Sequence, residues 1–349
     1  MKQFLNVLKK IMLNGGLFLL IGTFTYRTIF KNMDFHKTLV LIAESNYRFL
    51  FIGIAMIFVV LCLEAICVKR NLKMMGEEEG FFNCLIYTFT GNFFSGITPA
   101  ASGGQPMEII LMHKKGVSAI HGTLALIMDL VTYQLSTITI AILSYLLAKT
   151  RVDALLGKYI WFLYLGIILN LILLFGLLFA MFSKRFIYRI LNLTAKIIRI
   201  FSNDKANEFI HKTADIIRQY HLSANLLIDN KLKFMQNFML TFIRIICLHS
   251  IPYWVYKALG LNGFGFIEIM GLQSMLYISC AVLPFPGGIG IAEQNFAKFF
   301  KYIFPEKLLP ISMILSRGIG SYFTIVISGS VFMAFMLVNM LSTHKLKKA

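Results

Sequence analysis

The chain has 349 residues, 58% of them hydrophobic and 14% charged, with a mean hydropathy of +0.73. That composition excludes a soluble globular domain. Its formal charge of +18 would suit nucleic acid, but the cations flank apolar stretches and form no continuous groove, so anionic lipid headgroups are the expected counter-charge and no nucleic-acid partner is expected.

Stretches of ~20 nearly uncharged residues recur, the length a helix needs to cross a bilayer core. Full spans are expected at 11–30, 47–68, 118–147, 159–182, 234–257 and 311–341. The first follows Lys2, Lys9 and Lys10 and lacks a small-residue cleavage site, which predicts a retained helix in place of a signal peptide. Two further apolar regions, 81–112 and 265–303, are interrupted. The first interruption is Thr98-Pro99-Ala100-Ala101-Ser102-Gly103-Gly104-Gln105-Pro106-Met107-Glu108, and the second is Leu283-Pro284-Phe285-Pro286-Gly287-Gly288-Ile289-Gly290-Ile291-Ala292-Glu293. Proline removes backbone donors and glycine favours non-helical conformations. In lipid the freed backbone groups would each cost several kcal/mol, so such breaks belong where protein or a water-filled cavity covers them.

Lysine and arginine in short loops mark the cytoplasmic side. The segment 183–233 is richest, with Lys184, Arg185, Arg189, Lys196, Arg199, Lys205, Lys212, Arg218, Lys231 and Lys233. Counting spans outward from it places Lys69-Arg70, Lys114-Lys115 and both termini inside. The region 81–112 then begins and ends on one side and 265–303 on the other, so each is expected to be a re-entrant hairpin, the first climbing out from Pro106. The result is an all-α polytopic transmembrane bundle of about six full spans and two re-entrant broken-helix hairpins in an inverted repeat. The whole chain, 1–349, reads as one membrane domain, with 1–147 and 159–341 as its halves and 183–233 as a basic insertion. Inverted repeats with paired Gly/Pro interruptions are a transporter plan whose substrate site lies between the breaks. Eight simple crossings remain the plainer alternative.

Within the insertion, Ile187, Ile190, Leu191, Thr194, Ile197, Ile198 and Phe201 recur at helical spacing over 184–201, and a second amphipathic stretch covers 207–228. A surface helix on an anionic leaflet and a hairpin packed under the bundle both fit.

Half-helices starting near Pro106 and Gly290 would aim two N-termini inward, where free N–H groups bind phosphate. Ser102 or Gln105 would cap the helix or touch a headgroup, with Gly103, Gly104, Pro286, Gly287, Gly288 and Gly290 letting backbone approach. Glu108 and Glu293, in the first turns that follow, either serve the helix dipole or receive a cationic headgroup or proton. Arg317, among the small residues Ser316, Gly318 and Gly320, needs a phosphate or carboxylate, and Asp129 is the leading protein partner. Arg244 and Glu64 are expected to snorkel or pack. His249 and His113 are isolated, and the five cysteines sit singly in apolar segments, so neither a metal site nor a disulfide is expected. No H-E-x-x-H, G-x-S-x-G or P-loop motif is present, so no catalytic residue or cofactor is assigned.

These residues resemble the lysylphosphatidylglycerol synthase transmembrane-domain family, the flippase half of bacterial multiple peptide resistance factors and their stand-alone relatives. Its pattern P-x-P-G-G-x-G-x-x-E is matched from Pro284 to Glu293, and its last-span Arg, Tyr and Gly by Arg317, Tyr322 and Gly329. The family's Asp after the first break corresponds to Asp129. At the first break Gln105 and Glu108 stand where the family commonly has Glu and Arg, and Ala125-Leu126 replaces a Glu-Arg pair, which weakens phosphate binding and favours a cation. The resemblance implies a bacterial plasma-membrane flippase for a phospholipid, anionic or aminoacylated, with a role in antimicrobial-peptide resistance. Full-length members append a soluble lysyltransferase domain, and a chain ending at Ala349 is expected to lack that activity. A lipid-modifying enzyme subunit, a scaffold recruiting a soluble partner through 183–233, and self-association all stay open.

Overall fold

Asn46 opens the first described span as an N-cap: its side-chain oxygen accepts the Arg48 amide at 3.1 Å. The 28 residues Tyr47–Met74 that follow form α1. The computed structural model describes residues 40–98, 101–157, 160–183, 230–280 and 291–346, together with the single positions Arg189, Asn192 and Lys196. The expected span 11–30, the amphipathic stretches 184–201 (those three positions aside) and 207–228, and Pro99, Pro284, Pro286, Gly287, Gly288 and Gly290 lie outside the described residues.

After α1 come α2 (Phe81–Ile97), α3 (Gly104–Lys114), α4 (Ala119–Leu156), α5 (Ile160–Phe182), α6 (Lys231–His249), α7 (Ile251–Ala258), α8 (Phe266–Cys280), α9 (Ile291–Phe300) and α10 (Leu309–Arg317). A π-helical turn, Gly318–Phe323, joins α10 to α11 (Thr324–Leu346). Tyr47–Met74, Ala119–Leu147, Lys231–Ala258 and Leu309–Asn339 are each long and apolar enough to cross a bilayer, and Leu163–Phe179 and Phe266–Ser279 are shorter apolar helices. The protein is an all-α polytopic membrane bundle.

The loop expected at 148–158 is largely helical, because α4 runs on to Leu156 through residues with no helix breaker. Span 234–257 is divided at Ser250, where Pro252 stands at the start of α7 and cannot donate back into α6. Span 311–341 contains the π turn. Glu268 serves as a cap: it stands in the first turn of α8 and its carboxylate accepts the Gly265 amide at 2.8 Å.

The first interrupted region is a hairpin open at one end. Lys115, just past α3, donates to the Asn83 side chain at the start of α2 at 2.7 Å, so the chain leaves where it entered. Glu77 ties the next span to that mouth, accepting the Ser118 amide at 3.1 Å and meeting His121 Nδ1 at 2.7 Å. At the same end Arg70 reaches Gln236 and Asn237 of α6, and Asn237 donates to Asn71 at 2.6 Å. From there α6 and α7 run to Tyr256, whose ring meets both Phe264, before α8, at 6.3 Å and Phe304, after α9, at 5.6 Å. The second interrupted region therefore opens at the opposite end, and the two hairpins are inverted.

Asn170 of α5 supports α8 just before the second break. It donates to the Ile278 carbonyl at 2.8 Å, one of the last carbonyls of α8, and is itself held by Gln134 of α4. Asn170→Ala is expected to cost about 1–2 kcal/mol, seen as a lower unfolding temperature in detergent, with no change for the exposed control Ile172→Ala.

Candidate functional site

Helix geometry sets the depth of the site. At 1.5 Å per residue Asp129 lies about 15 Å along α4 from Ala119, and Glu64 about 15 Å along α1 from Met74. Both helix ends stand at the first-hairpin mouth, so both carboxylates fall near the middle of a ~30 Å hydrocarbon layer. Arg244 comes to the same level from α6. Its two terminal nitrogens donate to Asp129 at 3.3 and 3.1 Å, one to each carboxylate oxygen. The forked pair is buried, with Arg244 2% and Asp129 8% exposed, and the guanidinium carbon stands 5.2 Å from the centre of the Tyr133 ring. Such pairing is what a charge at this depth requires.

Two more carboxylates face this pair. Glu64 accepts a hydrogen bond from Asn92 Nδ2 at 3.3 Å. Glu108, 6% exposed, packs its carboxylate on Gly91, the neighbour of Asn92, where any Cβ would overlap it. No hydrogen bond to the Glu108 carboxylate is made among the described residues. Glu64, Glu108 and Asp129 lie within electrostatic range of one another and of Arg244. One guanidinium faces three carboxylates, which leaves room for positive charge. Arg244 Nε remains a buried donor with no partner among the described residues.

The first break is built for close approach. Gly104 opens α3, and a Cβ there would stand 2.8 Å from the Gly91 carbonyl and collide with Ser95 Oγ, so the two arms touch through backbone. Thr98 Oγ1 accepts the Gly103 amide at 2.9 Å, and Ala101 holds a left-handed backbone with φ of 55°, a strained conformation of the kind that gathers at functional sites. Gly104 and Glu108 are buried, Gly103 and Gln105 half-buried, and Ser102 exposed. The helix starts two residues before Pro106, which falls inside the first turn, where its missing N–H has no helical partner to lose.

The structure gives Asp129 to Arg244, correcting the expected pair with Arg317, and places Arg244 and Glu64 inside the cluster where only packing was expected. Arg317 closes α10 and lies within electrostatic range of Tyr277, with its guanidinium carbon 6.0 Å from the Tyr322 ring centre. π turns recur at functional sites, and this one turns Tyr322 away from the α10 register. Gly329 packs on the Phe93 ring. Glu293 has its backbone in the first turn of α9 and its side chain outside the described residues.

His249 is not isolated. Its Nδ1 lies 2.8 Å from Ser274 Oγ and its ring 5.1 Å from that of Tyr277. Tyr133 donates to the Tyr277 hydroxyl at 2.7 Å. Asn92, Tyr133 and Tyr277 were not singled out by sequence, and His249 was named only as isolated; Tyr133 alone had a signal, standing four residues after Asp129 and so on its helix face.

A comparison of the whole chain finds a family of membrane proteins. Residues 11–328 fit the family profile described as "Lysylphosphatidylglycerol synthase TM region". The chain belongs to this family. The lysylphosphatidylglycerol synthase TM region match takes in both breaks together with Glu64, Glu108, Asp129, Arg244 and Arg317. The chain is also similar to a "UPF0104 membrane protein" of Archaeoglobus fulgidus, 23% identical over 312 residues, which covers 89% of this chain and 93% of that one.

Proposed function

We propose that this protein moves a phospholipid or lipid-linked headgroup between the two leaflets of a bacterial plasma membrane, with both termini cytoplasmic. The observation that carries the reading is the charge cluster at the depth of the first break, beside the N-terminus of α3 and its strained Ala101. A phosphate is received at the N-termini of α3 and α9, by Gly103, Gly104 and Gln105 and by Pro286, Gly287, Gly288 and Gly290, with Ser102, Arg317 and Tyr322 assisting. Glu108 or Glu293 receives positive charge carried by the headgroup. The inverted hairpins support this reading, since a site approached from opposite leaflets suits alternating access.

The test is leaflet exchange of labelled phosphatidylglycerol in proteoliposomes. Arg317→Ala and Glu293→Ala are each expected to lower the protein-dependent rate tenfold or more while the helical content stays unchanged. Unaltered exchange in both variants would defeat the proposal. The family's description favours a second reading, a part in lipid aminoacylation, and lipid product formed from charged tRNA by the purified chain would establish it instead.

A further inference from the structure

We propose that Glu64 and Glu108 form a proton-binding site and that Tyr133, Tyr277 and His249 connect it toward the opposite end of the bundle. Glu64 and Glu108 sit on either side of the adjacent pair Gly91-Asn92, one taking the Asn92 amide and the other resting on the glycine. Among the described residues, the titratable and charged groups within electrostatic range of them are named by helix. α1 supplies Glu64 and Cys67, α4 supplies Asp129 and Tyr133, α6 supplies Arg244 and α8 supplies Tyr277, while α2 contributes Gly91 and Asn92, with Tyr87 a turn nearer the mouth. The one cation in this set is committed in a fork to Asp129. Two carboxylates are left, and at this depth a proton is the smallest charge that settles either of them. Glu108, buried and without a hydrogen bond among the described residues, is the one a mobile proton can occupy without displacing a protein donor.

The exit is a chain of exchangeable groups. Tyr133 lies under Arg244 and donates to the Tyr277 hydroxyl, whose own proton is uncommitted by that bond. The Tyr277 ring meets His249. Ser274 Oγ is placed to donate to the Met270 carbonyl at 2.9 Å, and with its hydrogen there it offers the imidazole lone pairs and His249 Nδ1 carries the ring hydrogen. Nε2 is then an acceptor, buried and without a partner among the described residues. Along α6, His249 is about 7.5 Å further than Arg244 from the first-hairpin mouth, so the groups are ordered from the cluster into the other half. Charge balances: one H⁺ enters at Glu108 or Glu64, one H⁺ leaves at the far end, and no bond to carbon changes. Coupling of this proton to lipid movement rests on the transport reading above, while the binding site does not.

The test is infrared difference spectroscopy of the full chain in phosphatidylcholine vesicles, between about pH 5 and pH 9. A protonated-carboxyl band that shifts in D₂O, weakens as pH rises and disappears in Glu108→Gln or Glu64→Gln is expected. A band absent throughout, fixed in intensity, or intact in both variants would overturn the proposal. Tyr277→Phe keeps the ring against His249, and it is expected to slow the band's response to a pH jump about tenfold or more; an unchanged rate would overturn the hydroxyl path. If the glutamine variants fail to fold, the D₂O-sensitive band of the native chain and its pH response still decide. Lipid exchange that persists without a titrating band removes the proton site alone, and a titrating band without lipid exchange removes the transport reading alone.

Discussion

Arg244→Ala is expected to cost about 3–5 kcal/mol, because it leaves the Asp129 carboxylate at mid-membrane with no guanidinium and few polar neighbours. The measurement is thermal unfolding of the purified protein in detergent, where the variant should melt far below the parent or fail to be recovered folded. Arg244→Lys should recover little, since an ammonium cannot occupy both carboxylate oxygens as the fork does. Removing both charges, Asp129→Leu with Arg244→Met, should cost less than Arg244→Ala alone, because the penalty belongs to the stranded charge more than to the lost pair. A double variant as unstable as the sum of the two single ones would show that the residues act independently.

Gly104→Val is the second large effect. The first hairpin closes through backbone at Gly104 and Gly91, and the valine would meet the Gly91 carbonyl and Ser95 at distances no real side chain tolerates. Overpacking of this kind costs about 1–3 kcal/mol, but here the strain has a direction, since the arms separate and Gly91 can no longer hold the Glu108 carboxylate. We expect the variant to stay helical by circular dichroism, to melt lower and to lose leaflet exchange more than tenfold. Gly104→Ala should fall between. A valine variant that exchanges lipid at the parental rate would show that the hairpin's closure has no part in function.

The sequence made the hairpins legible because interruption and charge bias are both local signals: Pro99, Gly103, Gly104 and Pro106 advertise a break, and Lys69, Arg70, Lys114 and Lys115 mark the side to which the chain returns. Partner choice was not legible. A linear reading paired Asp129 with Arg317 and left Arg244 to snorkel or pack, and only the packing of α6 against α4 selects Arg244. The kink at Ser250 and the π turn after Arg317 were missed for a related reason: Pro252 and Gly318 sit inside long, mainly apolar stretches, where hydropathy alone reads straight through. His249 looked solitary since its companions, Ser274 and Tyr277, are more than twenty residues further along the chain.

The Glu77 carboxylate binds the Ser118 amide and His121 from a loop that precedes the whole first hairpin. The roughly forty residues between Glu77 and Ser118 are thereby gathered like cloth at a drawstring, both ends pinned by one side chain at the rim. Any opening of the hairpin that keeps this contact must therefore take place at depth, away from the rim that Glu77 fixes.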